Sequence, residues 1–336
     1  MDISAQLEQL FEKRILAVPT TEELKLEIAA EEAILVETTL IPPATSSKEE
    51  WHAFREEGDA GFESGTLLPN WLKPWQEKGL DMIEHVSIPA PGGELSVCLY
   101  EPQGTPKGAP LYTHGGGWCA GSASQFAFNH AMTVEDCGLL VAAVDYRKAP
   151  EAPYPAAQDD CEAAALWLID YAKQEFSIEN TFVQGGSAGG HLAMATAIRM
   201  KHKHNFLFYG IVAEIPCADF TLGLPSRVTE TFVGAEDFTR MSDYYIPDPE
   251  QKPMSDASLL YHSNEELESL PPIFFSCAER DGLRDDALLM FMRWMQAGND
   301  AYILILNGMN HNIFLREHPA SELAVRAPIA FLNRLL

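Results

Sequence analysis

The stretch Phe182-Val183-Gln184-Gly185-Gly186-Ser187-Ala188-Gly189-Gly190-His191-Leu192 leaves a β-rich run and opens a helical one. Its core, Gly185-x-Ser187-x-Gly189, puts a serine on a strand-to-helix turn. Such a serine adopts strained backbone angles, and neighbours without side chains let the chain pass closely. The hydroxyl of Ser187 then projects above a sheet at a helix N-terminus, where free N–H groups and the dipole favour negative charge. A phosphate-binding loop is the competing reading. It lacks a Gly-Lys-Ser/Thr, and the GxGxxG spacing fails.

Upstream, Tyr112-Thr113-His114-Gly115-Gly116-Gly117-Trp118 follows another short β run. Alone, three glycines are a flexible turn. Paired with an activated serine, they lay bare backbone N–H donors of the kind that stabilise a tetrahedral oxyanion. The expected donors are the N–H groups of Gly115, Gly116 and Ala188. His114 is expected to shape the loop rather than act as a base.

A serine hydroxyl is a poor nucleophile until a base takes its proton. The places to look are the loops at the carboxyl ends of later strands, where a parallel sheet puts its site. Ala278-Glu279-Arg280-Asp281-Gly282-Leu283-Arg284-Asp285-Asp286 follows one β run, and Asn307-Gly308-Met309-Asn310-His311-Asn312 follows the next. His311 is the candidate base and Asp281 the candidate acid. Asp285 is expected to cap the following helix and Glu279 to face solvent. His191, His202, His204 and His318 have weaker claims: packing for the first, a solvated helix end for the next two, a helix start for the last. No metal site and no cofactor are expected.

Outward from these motifs the chain alternates. The β runs are Met82–Pro89, Leu95–Tyr100, Pro110–Thr113, Leu139–Asp145, Thr181–Gln184, Phe206–Val212, Ile273–Ser276 and Tyr302–Leu306. Pro91-Gly92-Gly93 joins the first two as a hairpin. Helical stretches lie near Ser124–Asp136, Ala156–Lys173, Ala188–Lys203, Asp285–Ala297 and Pro319–Leu336. Alternation of this kind predicts a mostly parallel, eight-stranded sheet covered by helices on both faces. Residues 217–271 form an insertion between two late strands, with a helix candidate at Arg227–Glu236. Residues 1–80 differ. Ile3, Leu7, Leu10 and Phe11 recur at helical spacing, and Leu24, Leu26, Ile28 and Ile34 do so more loosely after a helix start at Thr20-Thr21. This segment is expected to be a helical N-terminal cap on a catalytic domain of residues 81–336, with 217–271 contributing to the cap.

At 336 residues and roughly 150 per domain, the chain is two domains or one large domain with an appendage. Twenty-three basic and 49 acidic residues give a net charge of −26. That field repels phosphate backbones and anionic head groups, against nucleic-acid or membrane-surface partners. No apolar run reaches the roughly 18 residues of a membrane span. Asp2, Glu8 and Glu12 interrupt the first fourteen residues, so no signal peptide is expected. Six scattered cysteines without CxxC spacing read as buried thiols and point to a cytoplasmic home.

Together these pieces resemble the hormone-sensitive-lipase-like carboxylesterases of the α/β-hydrolase fold. The resemblance rests on His114-Gly115-Gly116-Gly117, Gly185-Gly186-Ser187-Ala188-Gly189-Gly190, the Asp145–Ala157 stretch, Asp281-Gly282-Leu283-Arg284-Asp285 and Asn310-His311, and spans about residues 80–336. It implies cofactor-free hydrolysis of small-molecule esters, often with short acyl chains, through an acyl-serine intermediate. It also implies that a homodimer is common. Two positions depart from the family's pattern: Gly186 where members usually carry Asp or Thr, and Asn312 where they carry Gly. Both bear on which substrate is accepted. Trp118 beside the glycine loop and Phe220 and Tyr245 of the insertion are the candidate substrate-binding residues, with Phe232, Phe238 and Tyr244 as further aromatics of the insertion; mere packing of the cap is the alternative for the five aromatics of the insertion. Amide or formamide cleavage, a non-hydrolytic cyclisation or elimination, and a small-molecule receptor on the same scaffold are the rival functions.

Overall fold

A nine-stranded sheet runs through the computed structural model. The structure describes all residues except 1, 20, 23, 29–41, 44–45, 222 and 229–234. The strands are β1 (Ile15–Val18), β2 (Glu84–Ala90), β3 (Gly93–Tyr100), β4 (Ala109–Thr113), β5 (Val141–Val144), β6 (Thr181–Gly186), β7 (Gly210–Glu214), β8 (Ile273–Ala278) and β9 (Ala301–Leu306). Across the sheet their order is β1-β9-β8-β7-β6-β4-β5-β3-β2. The hairpin pairs β2 with β3 antiparallel, and β3 is antiparallel to β5. Every other pairing is parallel. The central strands β4 to β8 are buried along nearly their whole length, as a sheet covered on both faces requires.

Two apolar layers flank the sheet. Side chains of α1 (Ile3–Lys13) fill one layer, together with those of two later helices, Ala127–Cys137 and Pro319–Leu335. The helices Ala156–Phe176, Ala188–His204 and Arg284–Gln296 fill the other.

The expected eight strands are present, and a ninth joins them. Ile15–Val18 lies in the segment expected to be a helical cap, yet it pairs parallel to β9 at the edge opposite β2. The carbonyl of Val18 accepts the N–H of Asn307 at 3.0 Å. The chain start therefore braces the root of the loop that carries His311. Its four residues alternate exposed and buried, too short a pattern to stand out in sequence.

The segment after it agrees with expectation at Thr21, whose hydroxyl caps the N–H of Leu24 at 3.2 Å; Ile34 lies outside the described residues. Two helices follow, α2 (Lys48–Glu63) and α3 (Lys73–Asp81). Ser47 and Glu50 close a reciprocal capping box on α2. Strand β7 starts at Gly210, later than the expected Phe206, because Asn205 ends the preceding helix in the left-handed conformation and Phe206 completes that turn by donating to Met200 O. In the insertion, a short 3₁₀ turn at Pro225–Val228 and a helix at Ala235–Tyr245 stand where one helix, Arg227–Glu236, was expected; the stretch between them, with Phe232, lies outside the described residues.

Candidate active site

Ser187 sits on the turn between β6 and the helix Ala188–His204, at φ 57° and ψ −121°. Positive φ is costly for a residue with a Cβ and persists only where the surroundings over-determine it. Here Ser187 N–H donates to the carbonyl of Glu214 on β7 at 2.8 Å. Two residues on, a Cβ at Gly189 would stand 2.0 Å from the carbonyl oxygen of Thr113. Only glycine lets the helix start press this closely against β4.

The three side chains expected at the carboxyl ends of β6, β8 and β9 meet. His311 Nε2 lies 2.9 Å from Ser187 Oγ. His311 Nδ1 lies 2.8 Å from Asp281 Oδ2. Asp281 is 1% exposed, and its other oxygen accepts the N–H of Leu283 at 2.9 Å. With a carboxylate at Nδ1, that nitrogen carries the proton and Nε2 accepts from the serine hydroxyl. The loop is held from several sides. Glu279 accepts the N–H of Gly308 at 2.6 Å, and Arg280 N–H donates to Met309 O at 2.9 Å.

Gly115, Gly116 and Gly117 line the same cavity as Ser187 and His311. A Cβ on Gly115 would lie 3.6 Å from that of Ser187. Gly116 has φ +115°, and a Cβ there would stand 2.2 Å from Ala120 O, so no other residue fits the turn. His114 shapes this loop. It is fully buried, stacked on Tyr146 at 4.1 Å, and its Nδ1 lies 2.7 Å from Gly115 O. Burial holds it below the usual imidazole range, so it is neutral. Ala188, the third expected donor, begins the helix directly after Ser187.

The cavity has a volume of about 490 Å³. Phe54, Asp59 and Phe62 of α2 form one wall, and Phe238 and Met241 of the insertion form another.

A family model for the alpha/beta hydrolase fold matches residues 110–315. The chain belongs to the alpha/beta-hydrolase family. Within it, the glycine loop and the serine turn group this hydrolase with the hormone-sensitive-lipase-like carboxylesterases. A versiconal hemiacetal acetate esterase of Aspergillus parasiticus is 28% identical over 262 residues, covering 71% of the hydrolase and 82% of the relative. An acetyl esterase of Salmonella paratyphi A is 28% identical over 212 residues, covering 61% of the hydrolase. That match spans 64% of the Salmonella protein, under two thirds of its length. Among solved structures, an esterase of the archaeon Pyrobaculum calidifontis superposes with a TM-score of 0.79 at 27% identity, covering 95% of the hydrolase and 99% of the archaeal chain.

The remaining expected site residues divide. Trp118 lines the cavity. Its indole stacks on Tyr245 at 4.9 Å and donates to His191 Nδ1 at 3.2 Å. Phe220 and Tyr245 do not line the cavity. Both are fully buried behind Trp118, packed with His191, and the expectation that they contact substrate is corrected. Phe238, from the same insertion, reaches the wall. His191 is a packing residue. Its Nε2 donates to Ala257 O at 2.9 Å, and burial pushes it down to about 4. Asp285 caps nothing: Leu283 holds the N-cap position, and Asp285 sits in the first turn accepting the N–H of Ser226 at 2.9 Å. Glu279 is exposed, as expected.

Two cavity carboxyls, Asp59 and Glu214, do not appear in the sequence reading. Asp59 lies on α2, and Glu214 ends β7. Burial raises both carboxyls, Glu214 to about 8. The signal for Glu214 was an acid closing a run of buried apolar strand residues. No metal-ligand cluster occurs among the described residues, and no described helix is long and apolar enough to cross a membrane.

Proposed function

We propose that this hydrolase cleaves carboxylic esters of small molecules, with short acyl chains, through an acyl-serine intermediate on Ser187. The observation that carries the reading is the continuous contact from Ser187 Oγ through His311 to Asp281, at 2.9 and 2.8 Å, on the floor of a cavity. His311 takes the proton of Ser187 as the hydroxyl oxygen attacks the ester carbonyl. The N–H groups of Gly115, Gly116 and Ala188 stabilise the oxyanion. Asp281 holds the imidazole in the useful tautomer and stabilises its charged form. His311 then protonates the leaving alcohol, and a water repeats the cycle on the acyl-enzyme. Helix Lys48–Glu63 and the insertion 217–271 cap the site in this reading.

Acetyl esters are the first substrates to try, because two relatives are named for acetate or acetyl esterase activity. A cytoplasmic home belongs to the same proposal, supported by six buried cysteine thiols. So does a homodimer, supported by the family resemblance and testable by light scattering. The deciding experiment is a chain-length series of p-nitrophenyl esters run beside Ser187→Ala, with a fluorophosphonate label as a second readout. The expected result is turnover greatest on acetate or butyrate, labelling of the native chain, and a loss on the order of 10⁴-fold or more in the variant. Near-normal turnover by Ser187→Ala, or no labelling, overturns the reading.

A further inference from the structure

Glu214 is out of place by the ordinary rules of burial. It is 8% exposed, at the end of a strand whose other residues, Gly210 to Ala213, are all buried and apolar. An ionisable group so placed is normally paired. Among the described residues the Glu214 carboxyl has no hydrogen bond and no ion pair, and burial alone accounts for its raised affinity for a proton. A leucine would fill this corner of the core at lower cost.

The surroundings show what is missing. Glu214 lines the cavity, and its main chain is tied to the nucleophile turn through Ser187 N–H at 2.8 Å. In the sheet register it stands beside Gly186. A Cβ on Gly186 would meet nothing closer than 3.9 Å, and its nearest neighbours would be Glu214 atoms. The space beside Gly186, next to Ser187 and the Cβ of Glu214, is therefore open. The second cavity carboxyl, Asp59, also lacks an ion-pair partner among the described residues. Among the described residues one cationic side chain reaches the wall, Arg55, and it is committed elsewhere: its guanidinium binds Glu151, Cys119 O and Ala149 O. Among the described residues the cavity thus offers carboxyl groups and no free cation to meet them. Its other walls are aromatic rings such as Phe54, Phe62 and Phe126, which also attract cations.

We infer that Glu214 is a specificity-determining residue that selects esters carrying a positively charged nitrogen within a few bonds of the scissile carbonyl. This rests on Ser187 being the ester nucleophile. The cation supplies the partner the carboxyl lacks, and the long-range field of a chain at −26 steers the same class of substrate. A neutral substrate leaves the buried carboxyl unpaired.

The test compares kcat/KM for two isosteric pairs at about pH 8 and roughly 0.2 M salt, where distant charges are screened. On the alcohol side the pair is acetylcholine and 3,3-dimethylbutyl acetate. On the acyl side it is the p-nitrophenyl esters of 4-(trimethylammonio)butanoic acid and 5,5-dimethylhexanoic acid. In at least one pair the native enzyme should favour the cation by about tenfold or more. Glu214→Gln should bring that ratio down by about tenfold, whereas Asp59→Asn should leave most of it. No preference in either pair, a preference that survives Glu214→Gln, or one that disappears with Asp59→Asn instead overturns the inference. Choline against 3,3-dimethylbutanol as inhibitors of p-nitrophenyl acetate hydrolysis repeats the alcohol-side comparison without a variant: where the alcohol-side pair shows the preference, choline should inhibit more tightly, and equal inhibition constants there overturn the inference. If p-nitrophenyl acetate itself is not hydrolysed, the esterase reading has failed, and that outcome is distinct from a lost preference.

Discussion

His311 Nδ1 lies 2.8 Å from Asp281 Oδ2, while Asp281 Oδ1 takes the N–H of Leu283 at 2.9 Å. One carboxylate thus fixes both the imidazole and the turn that presents it. Asp281→Asn keeps the shape but can offer an amide N–H to Nδ1, which stabilises the tautomer with its proton on Nε2. That imidazole cannot accept from Ser187. The expected result is a fall in kcat on the order of 10³- to 10⁴-fold with the far-ultraviolet spectrum unchanged. Steady-state kinetics on a p-nitrophenyl ester measures it, and a loss of less than tenfold would contradict the role.

A buried ion pair ties the insertion to the acid loop. Arg227 Nη1 lies 2.7 Å from Asp286 Oδ2, and both side chains are buried. The same guanidinium donates to Gly282 O, one residue from Asp281, and lies 3.9 Å from the centre of the Phe238 ring at the cavity wall. Asp286 also accepts the N–H groups of Ala218 and Asp219 at 2.6 and 3.0 Å. Arg227→Met leaves the carboxylate buried without its cation, a loss of about 3–5 kcal/mol. Urea unfolding should show it. Activity should fall as well, since both Gly282 and Phe238 lose their support.

Two glycines of the site should respond in opposite ways. A Cβ at Gly116 meets Ala120 O at 2.2 Å on a backbone at φ +115°. A Cβ at Gly186 meets nothing within 3.9 Å. Gly116→Ala is expected to cost several kcal/mol or to abolish turnover by displacing the glycine loop. Gly186→Ala is expected to stay within about 1 kcal/mol of the native chain. Thermal melts of the two variants side by side make the comparison, and equal effects would show that the loop relaxes.

Much of this arrangement could be read before any fold was known, and the reasons are local. A glycine-flanked serine between a β run and a helical run has few other conformations open to it. Asp281 and His311 lie in the loops that follow the last two strands, and they stand within hydrogen-bond reach of each other. What could not be read depended on rotation about a strand or helix axis. Phe220, Phe238 and Tyr245 look alike as aromatics of one insertion. Packing turns Phe238 toward the cavity and the other two toward His191. Strand β1 was lost because four residues of alternation carry little signal between Arg14 and Pro19. Asp285 has the chemistry of a cap, but the N-cap position falls two residues earlier, on Leu283, so its carboxylate serves Ser226 instead.

Glu214 supplies the last prediction, through linkage between protonation and stability. Burial raises its carboxyl from the usual range near 4.5 to about 8 in the folded chain. Between these two values the folded chain holds the proton and the unfolded chain has released it. The unfolded state then binds fewer protons, so stability falls as pH rises across this window. Glu214→Gln removes the titration while keeping the shape. It should therefore add little below about pH 4, where the carboxyl is protonated in both the folded and the unfolded state, and become progressively more stabilising toward pH 8. Melting temperatures of the two proteins at pH 5, 6.5 and 8 test the sign. A gap that widens with pH is the expected outcome. A gap that is constant, or that closes as the solution is made alkaline, would mean that Glu214 has a partner in the fold and is already ionised at neutral pH.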